Sequence, residues 1–188
     1  MEAWVWVLLV IAVLVVAVAV ALAARRRRTT QLRERFGPEY DRTLEERGDQ
    51  RAAEADLSER RDRRRELDVR PLSPAARDRY ADEWRAVQAR FVDDPVGAVG
   101  EADQLVTQVM QERGYPMDEF EQQADVISVD HPDVVEDYRQ GHEIYLAHGR
   151  GDASTEDLRQ AMVHYRALFD RLLEADASRD GEKIREVR

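Results

Sequence analysis

The stretch AWVWVLLVIAVLVVAVAVALAA, residues 3–24, is an unbroken run of 22 apolar residues that ends directly at the arginines Arg25–Arg28. As a helix rising about 1.5 Å per residue, it spans about 33 Å, enough to cross a hydrocarbon core of about 30 Å. Backbone groups in lipid must be satisfied within the segment, so a helix is expected although β-branched residues are frequent. We therefore predict a transmembrane helix over residues 3–24.

The two ends of this run predict its orientation. Trp4 and Trp6 occupy one end, and indole rings favour the membrane interface. Four arginines close the other end: Arg25, Arg26, Arg27 and Arg28. The positive-inside rule then places the N-terminus outside and everything after the arginines in the cytoplasm. The same arginines are expected to contact anionic lipid headgroups.

A cleaved signal peptide is the alternative interpretation of the run. Ala21-Leu22-Ala23 resembles a small-residue cleavage site. However, only Glu2 and no basic residue precedes the run, which also exceeds the usual apolar length of about 7–15 residues. Since four arginines follow at once, we favour the anchor. Cleavage would place the remaining chain outside the cytoplasm.

Charge and composition restrict the rest of the 188-residue chain, which is long enough for an anchor and one domain. The net charge is −10; residues 1–28 contribute +3, so residues 29–188 carry −13. Such an acidic body disfavours nucleic acid as a partner. The chain has no cysteine, which excludes disulfides and thiol chemistry. Lys183 is its single lysine against 28 arginines, a bias typical of GC-rich bacterial genomes.

Residues 25–70 are predicted to be a basic stop-transfer segment followed by a charged helical stalk. Residues 29–70 hold 11 arginines and 12 acidic residues, with few large apolar ones. Pairs at i,i+4 spacing, such as Asp56–Arg60 and Glu59–Arg63, favour a solvated helix from Pro38 to about Leu67. A coiled coil is poorly supported, because no heptad pattern is sustained. Whether the stalk forms one stays open.

Two features of the stalk have alternative interpretations. Phe36 and Tyr40 flank the break at Gly37-Pro38 and could pack at the level of the headgroups. The arginines between residues 60 and 65 are interspersed with acidic residues, so a solvated helix face is preferred over a patch for a lipid or partner.

Residues 71–176 are predicted to form an acidic all-α bundle of about four long helices and one short one. Apolar residues recur there at helical spacing, as in Leu158, Ala161, Met162 and Tyr165. The short helix is expected from Met117 to about Val126, and residues 177–188 are expected to be a flexible tail. Four sequences are typical helix starts: Ser73-Pro74, Asp93-Asp94-Pro95, Asp130-His131-Pro132 and Ser154–Asp157.

The sequence predicts no catalytic residue, metal site or cofactor, and so a protein that is not an enzyme. The four histidines lack the spacing of known metal motifs, and the paired carboxylates fall at helix starts or on polar faces. No phosphate-binding glycine loop or nucleophile elbow is present. The best candidates for a ligand pocket lie near the apolar faces of the bundle: Trp84, Tyr138, His142 and Tyr165.

Several motifs resemble a family of small bacterial membrane-anchored helical proteins. They are RFVDDP at residues 90–95, RGYP at 113–116, VDHP at 129–132 and STEDLRQAMVHY at 154–165. The resemblance covers roughly residues 30–175. It implies an anchored helical domain and no reaction.

These observations favour a non-catalytic adaptor or scaffold at the cytoplasmic face of the bacterial inner (plasma) membrane. Its single-pass anchor would concentrate it near another membrane-associated protein, its expected partner besides the bilayer. An acidic surface favours a basic partner. The alternative is a membrane-tethered bundle that binds or senses a small ligand.

Overall fold

The all-α prediction is confirmed. The computed structural model describes residues 2–117 and 119–186, with side chains described at residue 4 and over residues 6–117 and 119–174. This described part contains eight α-helices and no strand. They are α1 (Glu2–Phe36), α2 (Pro38–Arg47), α3 (Gln50–Glu66), α4 (Pro74–Arg90), α5 (Pro95–Arg113), α6 (Phe120–Asp130), α7 (Val135–Gly149) and α8 (Thr155–Glu186). The chain divides into two compact units, residues 1–58 and 59–188.

The apolar run lies in α1, which is long and apolar enough to cross a membrane. A signal sequence has the same two properties. Every described side chain from Trp6 to Ala24 is exposed. The helix is longer than the predicted span because no glycine or proline follows the arginines before Gly37-Pro38.

The rest of the first unit differs from the predicted solvated stalk. Gly48, with φ 65°, ends α2 in the left-handed region that glycine tolerates best, and α3 begins at Gln50. The prediction of one helix from residue 38 to about 67 was therefore wrong. A row of apolar side chains is also buried: Leu32, Phe36, Tyr40, Ala53 and Leu57. Phe36 and Tyr40 are thus core residues of the protein rather than headgroup contacts.

The second unit is a helical bundle in which α8 packs on α5 and α7, α4 packs on α5, and α6 packs on α7. Its buried core includes Trp84, Val106, Tyr138, Tyr165 and Leu168. Four helices of 15 or more residues and the 11-residue α6 agree with the predicted four long helices and one short one.

Three of the four predicted helix starts are confirmed by their hydrogen bonds. The amide of Ala76 donates to Ser73 Oγ at 3.1 Å, and that of Gly97 donates to Asp94 Oδ1 at 3.0 Å. Ser154 and Asp157 form the reciprocal capping box, since each backbone amide donates to the other side chain.

The fourth start, at Asp130-His131-Pro132, was wrong. Asp130 ends α6, and α7 begins only at Val135. The carboxylate of Asp130 instead accepts hydrogen bonds from the side chains of Arg64 and Tyr115. The short helix accordingly runs from Phe120 to Asp130, later than the predicted 117–126.

One further boundary and one charged helix face differ from the predictions. The helix α8 continues to Glu186, into the predicted flexible tail, whose last two residues lie outside the described part. The arginines of α3 also do not form one solvated face. Arg60 is buried and pairs with Asp125 at 2.8 Å, whereas Arg61, Arg63 and Arg65 pair with acidic residues of α3 itself.

Candidate functional site

Three of the four predicted pocket residues meet around one carboxylate in the second unit. Asp103, on α5, accepts a hydrogen bond from the Tyr165 hydroxyl of α8 at 2.8 Å. His142, on α7, has its Nδ1 3.6 Å from the same oxygen, a distance compatible with an ion pair but too long for a hydrogen bond. The ring of Tyr138 approaches that of Tyr165 edge-on, with centroids 6.4 Å apart. We call Asp103, Phe120, Tyr138, His142 and Tyr165 the Asp103 cluster.

Aromatic packing fills the Asp103 cluster. The rings of Phe120 and His142 stack with centroids 3.8 Å apart, and Phe120 also contacts Tyr138 at 4.8 Å. Gly141 allows α7 to approach the Tyr165 ring closely, since a Cβ there would lie 3.3 Å from that ring. The space between these helices is therefore occupied by side chains.

The tyrosines of the Asp103 cluster are held in their neutral form. Burial raises the pKa of Tyr165, and the charge and hydrogen bond of Asp103 raise it further. Burial and Asp103 likewise raise the pKa of Tyr138, whose hydroxyl donates to Gln123 Oε1 at 3.1 Å. General acid–base catalysis needs a group that titrates near the working pH. These two phenols are shifted away from it and serve as hydrogen-bond donors.

Trp84 lies elsewhere in the bundle. Its ring stacks on Phe169, with centroids 4.6 Å apart, one helical turn along α8 from Tyr165. The four predicted residues therefore belong to two packed groups. Within the residues that the structure describes, no three histidine, aspartate or glutamate side chains converge as metal ligands.

A cleft of about 400 Å³ lies in the first unit, where the apolar run of α1 ends. We call it the arginine cleft; it is lined by Ala24, Arg25, Arg28, Arg51, Glu54 and Ala55. Arg25 and Arg28 are three residues apart and so share one face of α1, whereas Arg51 comes from α3. Arg26 and Arg27 do not line the cleft.

Hydrogen bonds hold α3 beside α1 at this cleft. Glu54, which is 6% exposed, accepts hydrogen bonds through Oε1 from Thr29 at 2.7 Å, Gln50 at 2.7 Å and Tyr40 at 3.3 Å. Burial acts to raise the pKa of Glu54, but these donors outweigh it and lower the pKa, so the carboxylate is ionised. Arg28 also donates to Ser58 Oγ at 2.8 Å.

A shallow apolar groove of about 160 Å³ lies on the second unit, between the end of α4 and α8. We call it the α4–α8 groove; it is lined by Gln88, Phe91, Arg159, Met162, Val163 and Arg166. Val163 is 51% exposed, and Val92, in the turn next to Phe91, is 83% exposed. Arg159 and Arg166 are neutralised by Glu156 and Asp170.

Sequence reasoning selected Arg25 and Arg28 but missed Arg51 and Glu54. Arg51 is 23 positions beyond Arg28, in a segment where arginine and glutamate alternate without pattern. Only the turn at Gly48, which ends one helix and starts another, offered a signal that α3 could return to α1.

Comparisons with models of protein families, with curated proteins and with solved structures found no match to this chain.

Proposed function

We propose that this protein is a single-pass membrane-anchored, non-catalytic interaction module whose helical body docks another membrane-associated protein in the cytoplasm. The observation that carries the proposal is the exposed apolar surface of α1 from Trp6 to Ala24. An exposed apolar surface of this length is strongly unfavourable in water and favourable in the hydrocarbon core of a bilayer. The arginines after Ala24 give the cytoplasmic orientation.

The interior of the second unit supports a binding rather than a catalytic role. Its buried phenols donate to Asp103 and Gln123, and their pKa values are raised. Reactive groups at an active site are instead tuned toward the working pH and face a cavity that admits substrate. Because packed aromatic rings fill the Asp103 cluster, the outer surface of the second unit is the better candidate for binding.

The α4–α8 groove is the surface that best fits a protein partner. Phe91, Met162 and Val163 provide an apolar floor, and Val92 extends it into the neighbouring turn. Residues 59–188 contain 30 acidic and 20 basic side chains, a net charge of −10. The partner best matched to both properties is an amphipathic helix whose apolar face enters the groove and whose flanks are basic.

Photocrosslinking from position 92 in membranes of the native host tests this proposal. The expected product is one crosslink to a membrane-associated protein, mapped by mass spectrometry to a basic amphipathic helix. Val163→Asp places a charge in the groove and should lower the crosslink yield about thirtyfold, the effect of losing about 2 kcal/mol at a hot-spot residue. Leu146→Asp is the matched control, because Leu146 is similarly exposed at 47% but lies outside the groove lining.

Two results would contradict the docking surface. In one, Val163→Asp and Leu146→Asp have equal effects on the yield. In the other, the crosslinks scatter over many proteins with no common basic helix.

A further inference from the structure

We infer that the arginine cleft binds the phosphate of one anionic glycerophospholipid. The inference rests on the proposed membrane anchoring of α1 and deepens it, because it assigns a defined binding site beyond general attraction to the membrane surface. The residues that recognise the phosphate are Arg25, Arg28 and Arg51, and the third of these lies outside the stop-transfer run.

The position of the cleft suits a lipid headgroup. Its lining begins at Ala24, the last residue of the apolar run, and continues into Arg25. If α1 spans the membrane, this lining falls at the boundary between hydrocarbon and headgroups, where lipid phosphates lie. A soluble anion would not need a site that adjoins a membrane-spanning helix.

The charges of the cleft are suited to an anion. Three arginines face one carboxylate, so the lining has a net charge of +2. Within the described residues, neither Arg25 nor Arg51 has a carboxylate at ion-pair distance, whereas Arg61, Arg63 and Arg65 of α3 all do. Guanidinium groups bind phosphate oxygens through paired N–H donors. Arg25 and Arg51 are thus cations of the cleft that no carboxylate of the described residues neutralises.

The geometry of the cleft is held by buried groups. Glu54 receives three hydrogen bonds that join α1, α2 and α3, and it uses the charge of Arg28 as well. Ser58 accepts a hydrogen bond from Arg28 and so positions that guanidinium at one wall. Arg51 lies one helical turn before Ala55 on α3, and both line the cleft. Arg28 is therefore oriented before the phosphate arrives.

Native mass spectrometry of the full chain tests the site. The chain is reconstituted in an equimolar mixture of phosphatidylglycerol and phosphatidylcholine, and the retained lipids are counted after gentle detergent release. Wild type should retain one phosphatidylglycerol in preference to phosphatidylcholine. Arg51→Gln should lower that preference about fivefold, the effect of one basic residue near the surface. Arg51→Lys, which keeps the charge without the paired donors, should lose less.

Two double variants separate the cleft from the general charge of the arginine run. Arg25→Gln/Arg28→Gln removes two cleft residues, and Arg26→Gln/Arg27→Gln removes two that do not line it. Both leave two arginines in the run, so topology and overall charge are matched. The first should lower the preference more than Arg51→Gln does, and the second should lower it less than Arg51→Gln does.

The outcomes distinguish this inference from the anchor on which it rests. If the wild-type chain is extracted from membranes by alkaline carbonate, the anchor and the lipid site both fail. If the chain stays in the membrane but Arg51→Gln matches Arg26→Gln/Arg27→Gln, the lipid site alone fails. If an excess of inorganic phosphate displaces the retained lipid, the ligand is soluble phosphate, and the lipid assignment is overturned.

Discussion

At the scale of single residues, the second unit buries titratable groups in defined charge states. His131 is one of them, with 6% of its surface exposed and a buried Nε2 that has no hydrogen-bond partner among the described residues. Burial, together with the positive charges of Arg113 and Arg171, lowers its pKa to about 4 against the opposing negative charges of Asp130 and Asp133. The histidine is therefore neutral in the folded protein at neutral pH.

This depressed pKa predicts a loss of stability in mild acid. Below pH 6.5 the unfolded chain binds a proton at His131, whereas the folded chain binds it only near pH 4. The free energy of unfolding is therefore unaffected by His131 above about pH 6.5 and decreases as the pH falls from 6.5 toward 4. Between pH 7 and pH 5 we expect the free energy of unfolding to fall by about 2 kcal/mol from this group.

Denaturant unfolding followed by Trp84 fluorescence measures this loss. Replacement of Trp4 and Trp6 by phenylalanine leaves Trp84 as the chain's single tryptophan. In that background, His131→Gln should flatten the dependence of stability on pH between 7 and 5. An unchanged slope in the His131→Gln variant would mean that other groups cause the acid sensitivity.

At the scale of helices, α3 is attached to α6 by two arginines that are four residues apart. Arg60 pairs with Asp125 at 2.8 Å, with only 5% of the arginine side chain exposed. Arg64 pairs with Asp130, which also accepts a hydrogen bond from Tyr115 at 2.9 Å. Because the i,i+4 spacing places both arginines on one face, they hold the second half of α3 at α6 within the same compact unit.

Removal of these two arginines is therefore expected to detach this part of α3. In Arg60→Ala/Arg64→Ala, two carboxylates of α6 lose their arginine partners, at a cost of about 2 kcal/mol or more in stability. Hydrogen–deuterium exchange should rise across residues 59–66 and α6. Arg61→Ala/Arg63→Ala removes the same charge from the outer face and should leave exchange in α6 unchanged. Equal protection in both double variants would rule out the attachment.

At the scale of the whole molecule, the exposed apolar part of α1 precedes a strongly acidic second unit. Residues 1–58 hold nine basic and nine acidic side chains, so the net charge of −10 belongs to residues 59–188. A body of this charge is repelled by an anionic membrane surface, while the arginines at the end of the apolar run are attracted to it. For the proposed docking function, this division of charge favours a cationic partner for residues 59–188.

Membrane insertion predicts three measurable properties of the intact protein. The chain should resist alkaline carbonate extraction, and its mass should show that no cut follows Ala23. Since the chain has no cysteine, Asp152→Cys provides a single thiol in the loop before α8. That thiol should react with an impermeant maleimide only after the inner membrane is opened. Labelling in intact spheroplasts, or a mature chain that begins at Ala24, would show that the body is outside the cytoplasm.

Local sequence predicted the helices well where local forces determine them. The long α1 follows from an apolar run without a breaker, and Ser73, Asp94 and Ser154 were recognisable because a cap satisfies amides only a few residues away. The exception was Asp130. Its position before His131-Pro132 has the form of a cap, but its carboxylate is used by Arg64, which lies 66 residues earlier.

Sequence alone thus determined the helical class, the apolar N-terminal segment and the bundle's core face, since each depends on periodicity and short-range hydrogen bonding. Tertiary structure alone decided the return of α3 to α1, the burial of Glu54 and Arg60, and the meeting of Arg51 with Arg25 and Arg28. Whether a charged residue is solvated or buried depends on which distant partner compensates its lost hydration. No local pattern contains that information, because the partner lies on another helix.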